Sequence, residues 1–197
     1  MDAQLSAPAT PVTLVAGYET NEETTFWVRC HDRHLQHSTI IGDDGEKMFY
    51  VDGPGAYKSW TFRRPVKDHS GQRLFDLRRY GADVKLRWFV EDPSGNKIAE
   101  LSHKKFFTRA HTAIDACIFR EGVEDVRVEM RPRDYAATTT YVNVNGAIIA
   151  EITLHMNNTS TYFVGDQDVS AFKVRAAKGV DLSLVRYLQL CYVWSRI

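Results

Sequence analysis

The sequence predicts an all-β protein: a closed antiparallel β-barrel of about twelve strands around a central hydrophobic C-terminal α-helix. Three observations predict it. Turn-forming clusters recur along most of the chain, and the stretches between them alternate with period two. Residues 182–197 then form an apolar run without a turn signal. With 197 residues, 44% of them hydrophobic, the chain has the length of one domain able to bury a core.

Residues 1–23 contain Pro8, Pro11 and several Ala, Thr and Ser, show no sustained periodicity, and read as a flexible tail before a barrel domain at 24–197. From Thr24 onward the turns have a mechanism. Asp43-Asp44-Gly45, Gly53-Pro54-Gly55, Asp68-His69-Ser70-Gly71, Asp92-Pro93-Ser94-Gly95, Glu121-Gly122, Asn145-Gly146 and Gly165-Asp166 supply glycines for positive φ and short polar side chains that bond their own backbone. Between them Val84, Leu86, Trp88 and Val90 alternate with Lys85, Arg87, Phe89 and Glu91, and Thr139–Asn143 returns through Asn145-Gly146 into Ala147–Leu154. The fragments starting at Gly45, Gly71, Gly95 and Gly146 repeat one element, a turn glycine followed by a strand. The predicted path is a meander of about six hairpins.

The C-terminal run starts after Asp181, a ready N-cap, and on a helix its polar residues Ser183, Arg186, Gln189 and Arg196 form one narrow stripe. As a membrane span it is short: sixteen residues reach about 24 Å against a hydrocarbon core of about 30 Å. Arg186 near its centre would add about 2.5–3.5 kcal/mol of insertion cost. Buried inside a closed barrel, the helix would hide its apolar circumference and the sheet would have no edge. Asp181, Leu184, Leu188 and Cys191 are the residues expected to hold it there.

Composition excludes several classes. Lys and Arg number 25 and Asp and Glu 25, which argues against a general nucleic-acid binder. Three scattered cysteines, Cys30, Cys117 and Cys191, suggest a reducing compartment rather than a disulfide framework and match no zinc spacing. The Met1-Asp2-Ala3-Gln4 start has neither basic nor apolar leader character, so a cytoplasmic protein without a transmembrane span is expected.

The segment Lys178-Gly179-Val180-Asp181-Leu182-Ser183-Leu184-Val185 resembles the closing motif of the LURP-one-related family, which has a tubby C-terminal-like fold. Gly71–Arg79 and Trp88–Asn96 resemble the family's internal hairpins, particularly in fungal-type members. The resemblance spans about Thr24 to Trp194. It implies a barrel of about twelve strands around a hydrophobic helix, shared with tubby proteins and phospholipid scramblases. It implies no enzymatic activity and no cofactor. Through tubby relatives it points to phosphoinositide binding at a membrane surface. The chain departs from the family in ending Trp194-Ser195-Arg196-Ile197 rather than in acidic residues, and it lacks the basic, cysteine-rich and proline-rich extensions of scramblases.

The sequence contains none of the G-x-S-x-G, Walker A, G-x-G-x-x-G or H-E-x-x-H patterns. His31, His34 and His37 are spaced for one helix face but lie among predicted strands, where that spacing alternates faces, so they read as an exposed loop rather than a metal site. Asp43-Asp44-Gly45-Glu46 reads as a hairpin turn, not a calcium loop. Cys117 and Cys191 read as inert core residues. Asn157 and Asn158 match N-x-S/T by coincidence if there is no secretory leader.

Charge is unevenly distributed. Residues 1–57 carry three Lys and Arg against nine Asp and Glu, while residues 58–109 carry thirteen against six. This basic block, with Lys85, Arg87, Arg78, Arg79, Lys104 and Lys105, is the candidate headgroup site. On a strand, Lys85-Leu86-Arg87 would point both cations the same way, similar to the basic pair with which tubby domains hold phosphoinositides. The competing reading is of ordinary solvated strand faces paired with Asp76, Asp83 and Glu91. Two functions follow: a non-catalytic module for anionic phospholipid headgroups, peripheral at a membrane, or a protein-interaction scaffold with no lipid ligand.

Overall fold

Three hairpin turns are built to one plan. Asp68 N–H donates to the Gln72 carbonyl (3.0 Å) and Gly71 N–H returns to the Asp68 carbonyl (3.1 Å). Asp92, Asn96 and Gly95 repeat it at 2.9 and 3.0 Å, as do Gly42, Glu46 and Gly45 at 2.8 and 3.0 Å. The closing glycine has φ of 90°, 91° and 85° in turn, a region that side chains with a Cβ rarely enter. The aspartates lock the turns: Asp68 Oδ1 accepts from Ser70 N, Ser70 Oγ and Gln72 N, and Asp92 Oδ1 accepts from Asn96 N.

The structure, a computed structural model, describes residues 2–32, 37–52, 63–79, 87–104, 113–134, 136–157, 169–185 and 188. In chain order the strands are β1 (Thr24–Cys30), β2 (His37–Gly42), β3 (Lys47–Asp52), β4 (Arg64–Asp68), β5 (Arg73–Arg79), β6 (Trp88–Glu91), β7 (Lys97–His103), β8 (Ile114–Ile118), β9 (Val126–Pro132), β10 (Thr139–Val144), β11 (Ala147–Asn157) and β12 (Ser170–Ala176). Each pairs antiparallel with the next, and β1 pairs with β12 from Thr24 opposite Ala176 to Cys30 opposite Ser170, closing the barrel. Closure leaves no sheet edge. The tight turns, including Asn145-Gly146, lie at one end (the turn end), and the opposite ends of the strands form the far end.

Alternation sets the two faces. Phe26 and Val28, Phe49 and Val51, Phe75 and Leu77, Ala99 and Leu101, and Ile114, Ala116 and Ile118 are buried at period two and fill the core. Residues 182–185 and 188 are helical. Leu184, Val185 and Leu188 are fully buried and belong to the same core. Asp181 caps this helix: its Oδ1 accepts Ser183 N–H at 2.7 Å, and its carbonyl accepts Leu184 and Val185 N–H at 3.1 and 3.3 Å. Cys191 and the rest of the apolar run lie outside the described residues, and no described helix is long and apolar enough to cross a membrane.

Cys117 is corrected from core to wall. It lies between the inward residues Ala116 and Ile118, so it points outward and is half-exposed, with Sγ 3.7 Å from Asp125 Oδ2. Partial burial and the Asp125 charge push its thiol up, which disfavours the thiolate. Of the two described cysteines, Cys30 is buried.

Residues 11–20 cross the turn end. Val12 is 1% exposed and bridges Val180, Tyr18 Oη donates to Asp68 Oδ2 (3.0 Å), and Thr20 Oγ1 donates to the Ala177 carbonyl (2.8 Å). Ser6 N–H reaches the Ile148 carbonyl at 2.9 Å. This segment has no periodicity because it bonds residues 177–182 and the Asp68 and Asp181 carboxylates rather than a ladder strand.

Candidate functional site

The register of β5, β6 and β7 brings the described members of the basic block to adjacent strands. Arg78 pairs with Phe89 and Arg79 with Trp88; Arg87 immediately precedes β6 and Lys104 follows β7, so Arg79, Arg87 and Lys104 all stand at the far end. Lys85 and Lys105 lie outside the described residues.

These cations do not share one face. Arg79 continues the inward series Phe75, Leu77, while Arg78 stands on the outer wall. There Arg78 Nη1 reaches both oxygens of Glu91 (2.7 and 2.9 Å) and its guanidinium lies 5.4 Å from the Phe89 ring centre. Arg63 bridges Asp76 (2.6 Å) and Glu91 (3.0 Å), and Arg73 also grips Asp76, which is fully buried beneath them. Burial alone would raise the Glu91 carboxyl, but hydrogen bonds from Arg78 and Arg63 hold it below the ordinary range. Arg87 lies 3.6 Å from Glu100, and Lys104 and Arg131 hold Asp115 at 2.6 and 2.7 Å. Asp115 is lowered likewise, against its burial. Pairing with acids therefore holds on the wall, through Asp76 and Glu91 as the sequence suggests and through Glu100 and Asp115 in addition. Asp83 lies outside the described residues.

At the far end several inward positions hold polar groups. Arg64 is 4% exposed, with its guanidinium 5.8 Å from the Trp88 ring centre. Burial, then the nearby charge of Arg79, holds His103 below the ordinary imidazole range, so it stays neutral at pH 7. A cationic residue at an inward position of a strand is the signal that could find this cluster.

His31 and His37 flank the β1–β2 connection, with His31 Nε2 2.7 Å from Thr39 Oγ1; His34 lies outside the described residues. Among the described residues, no three His, Cys, Asp or Glu side chains stand together as a metal site. Dialysis against a chelator is expected to leave the melting temperature unchanged; a drop of several degrees would show a native-state metal.

Residues 24–193 match the model of the LURP-one-related family. No curated protein matches the chain. A protein from Arabidopsis thaliana solved by X-ray crystallography is similar in fold, with a TM-score of 0.61 and 18% identity over 91% of this chain and 95% of that one. At that identity the likeness speaks to the fold alone, but the family model spans nearly the whole barrel. The chain belongs to the LURP-one-related family.

Proposed function

We propose that this barrel is a non-catalytic binding module that meets anionic phospholipid headgroups, phosphoinositides among them, with its far end, as a cytoplasmic protein peripheral to the membrane. The observation that carries this reading is the arrival of Arg79, Arg87 and Lys104 at one end of three adjacent strands. Ion pairs on a solvated wall are worth at most about 1 kcal/mol each, so a multiply charged headgroup can compete for Arg87 and Lys104 without disturbing the fold. Lys85 and Lys105 belong to the same connections in sequence and would add to that charge.

Vesicle co-sedimentation tests it. The chain is expected to pellet with phosphoinositide-bearing vesicles and not with neutral ones, and less at high salt as the Debye length contracts. The double substitution Lys85→Ala with Arg87→Ala should weaken binding by about 2 kcal/mol, about thirtyfold. Equal retention on neutral vesicles, or an unaffected double variant, would sink the lipid reading. A second reading, a protein-interaction scaffold, is favoured by Phe119 and Val123, which stand 37% and 67% exposed beside the β8–β9 turn at the opposite end.

A further inference from the structure

The wall of β2, β3 and β4 differs from the wall of β5 to β9. On the latter, Arg73, Arg78, Lys97, Lys104 and Arg131 each stand beside a carboxylate. On the former, two lysines converge on one tyrosine. The register sets Thr39 opposite Tyr50 and Tyr50 opposite Lys67, all pointing outward because Phe49, Val51, Val66 and Asp68 are buried. The register shift between Ile40 and Ile41 brings Lys47 opposite Ile41, near the same ring. Lys47 Nζ lies 5.8 Å and Lys67 Nζ 5.6 Å from the Tyr50 ring centre, and neither lysine makes an ion pair among the described residues.

Two ammonium groups on one ring repel each other, and an exposed cation–π contact returns only about 0.5–1 kcal/mol to each. An anion drawing on both charges would relieve that repulsion. A groove of about 240 Å³ opens on the β2 side of the ring, lined by His31, His37, Thr39, Lys47 and Tyr50, among others, while Lys67 stands on the β4 side, outside that lining. His31 Nε2 lies 2.7 Å from Thr39 Oγ1 in that lining. The Tyr50 hydroxyl reaches over Gly71, where an added Cβ would stand 3.4 Å from it and where φ of +90° already favours glycine. Lysine ammonium groups beside tyrosine and threonine hydroxyls offer many donors from several directions. That suits a tetrahedral anion with several acceptor oxygens better than a planar carboxylate, which favours an arginine fork.

We infer that this wall is a binding site for a phosphate monoester, held by Lys47 and Lys67 with Tyr50 between them. The site is on the side of the barrel, away from Arg79, Arg87 and Lys104, and does not rest on the lipid reading. The phosphate can belong to a soluble metabolite or to a lipid headgroup.

The test titrates the isotope-labelled full chain with inorganic phosphate and with phenyl phosphate at constant ionic strength. Saturable amide shifts are expected at Thr39, Lys47, Tyr50 and Lys67. Lys47→Ala and Lys67→Ala should each weaken binding about tenfold, as expected for loss of one charge-assisted contact. Both residues lie on the wall, so the variants should melt as the parent does. Phosphoinositide vesicles give the second arm. Loss of vesicle binding in the lysine variants, with Arg87→Ala unaffected, would assign the phosphate to a headgroup and refute only the far-end reading. Vesicle binding that ignores the two lysines while the soluble probes need them would assign it to a free monoester. Scattered, non-saturating shifts, or soluble and vesicle binding both indifferent to Lys47 and Lys67, would overturn the site.

Discussion

Replacing Leu188 by Asp is expected to yield no soluble folded protein. Leu188 is fully buried and shares a core with Leu184, Val185 and the inward residues of the strands. An unpaired carboxylate at that position costs several kcal/mol, against a total stability of about 5–15 for a domain of this kind. The milder Leu188→Ala removes only apolar volume and should lose about 2–5 kcal/mol while still folding. Solubility and a thermal melt read both variants. A well-folded Leu188→Asp protein would show that this side of the helix is not core and would remove the reason for placing the helix centrally in the barrel.

The fold was legible because its instructions are local. Asp68 and Asp92 bond their own turns, and Gly71 and Gly95 sit where positive φ is needed; each of these facts depends on four or five consecutive residues. Leu184 and Leu188 were legible for the same reason, since a run with no turn signal and one polar stripe must be buried. Long-range contacts were not legible. Residues 11–20 carry no periodicity, and their partners Ala177, Val180 and Asp181 lie more than 150 positions away in sequence. Charge was legible in sign but not in pairing. In β6 all four residues are buried, although the alternation predicts Phe89 and Glu91 to be exposed. Their cover comes from Arg63 and Arg78 on other strands and loops, which no reading of β6 alone can supply. The far-end cations showed the same limit: Arg78 and Arg79 are neighbours in sequence and stand on opposite faces of the barrel wall.

Asp181→Ala is expected to be the second costly change, lowering stability by about 3–5 kcal/mol and the melting temperature by about 10 °C. Asp181 is fully buried, and one of its oxygens accepts Leu14 and Val15 N–H, both at 2.7 Å, while the other caps the helix through Ser183 N–H at 2.7 Å. Alanine leaves three donors without their acceptor and releases the segment that crosses the turn end. Its pH dependence has a definite sign. Burial pushes the Asp181 carboxyl above the ordinary range, against the N–H bonds that pull it down. The folded state therefore holds a proton that the unfolded state has lost, so this group's contribution falls as pH rises from the ordinary carboxylate value to the raised one. Glu91 and Asp115 act oppositely: being lowered, they contribute above the ordinary value and lose that contribution as pH falls through their folded values. Asp181→Asn should accordingly lose the component of the melting curve that strengthens on acidification while keeping the acid-labile component from Glu91 and Asp115. Deleting residues 2–20 removes the same Leu14 and Val15 donors together with Val12, so its loss and that of Asp181→Ala should overlap rather than add. Fully additive losses in the combined variant would show that Asp181 and the N-terminal segment stabilise the barrel independently, and that the carboxylate serves the helix alone.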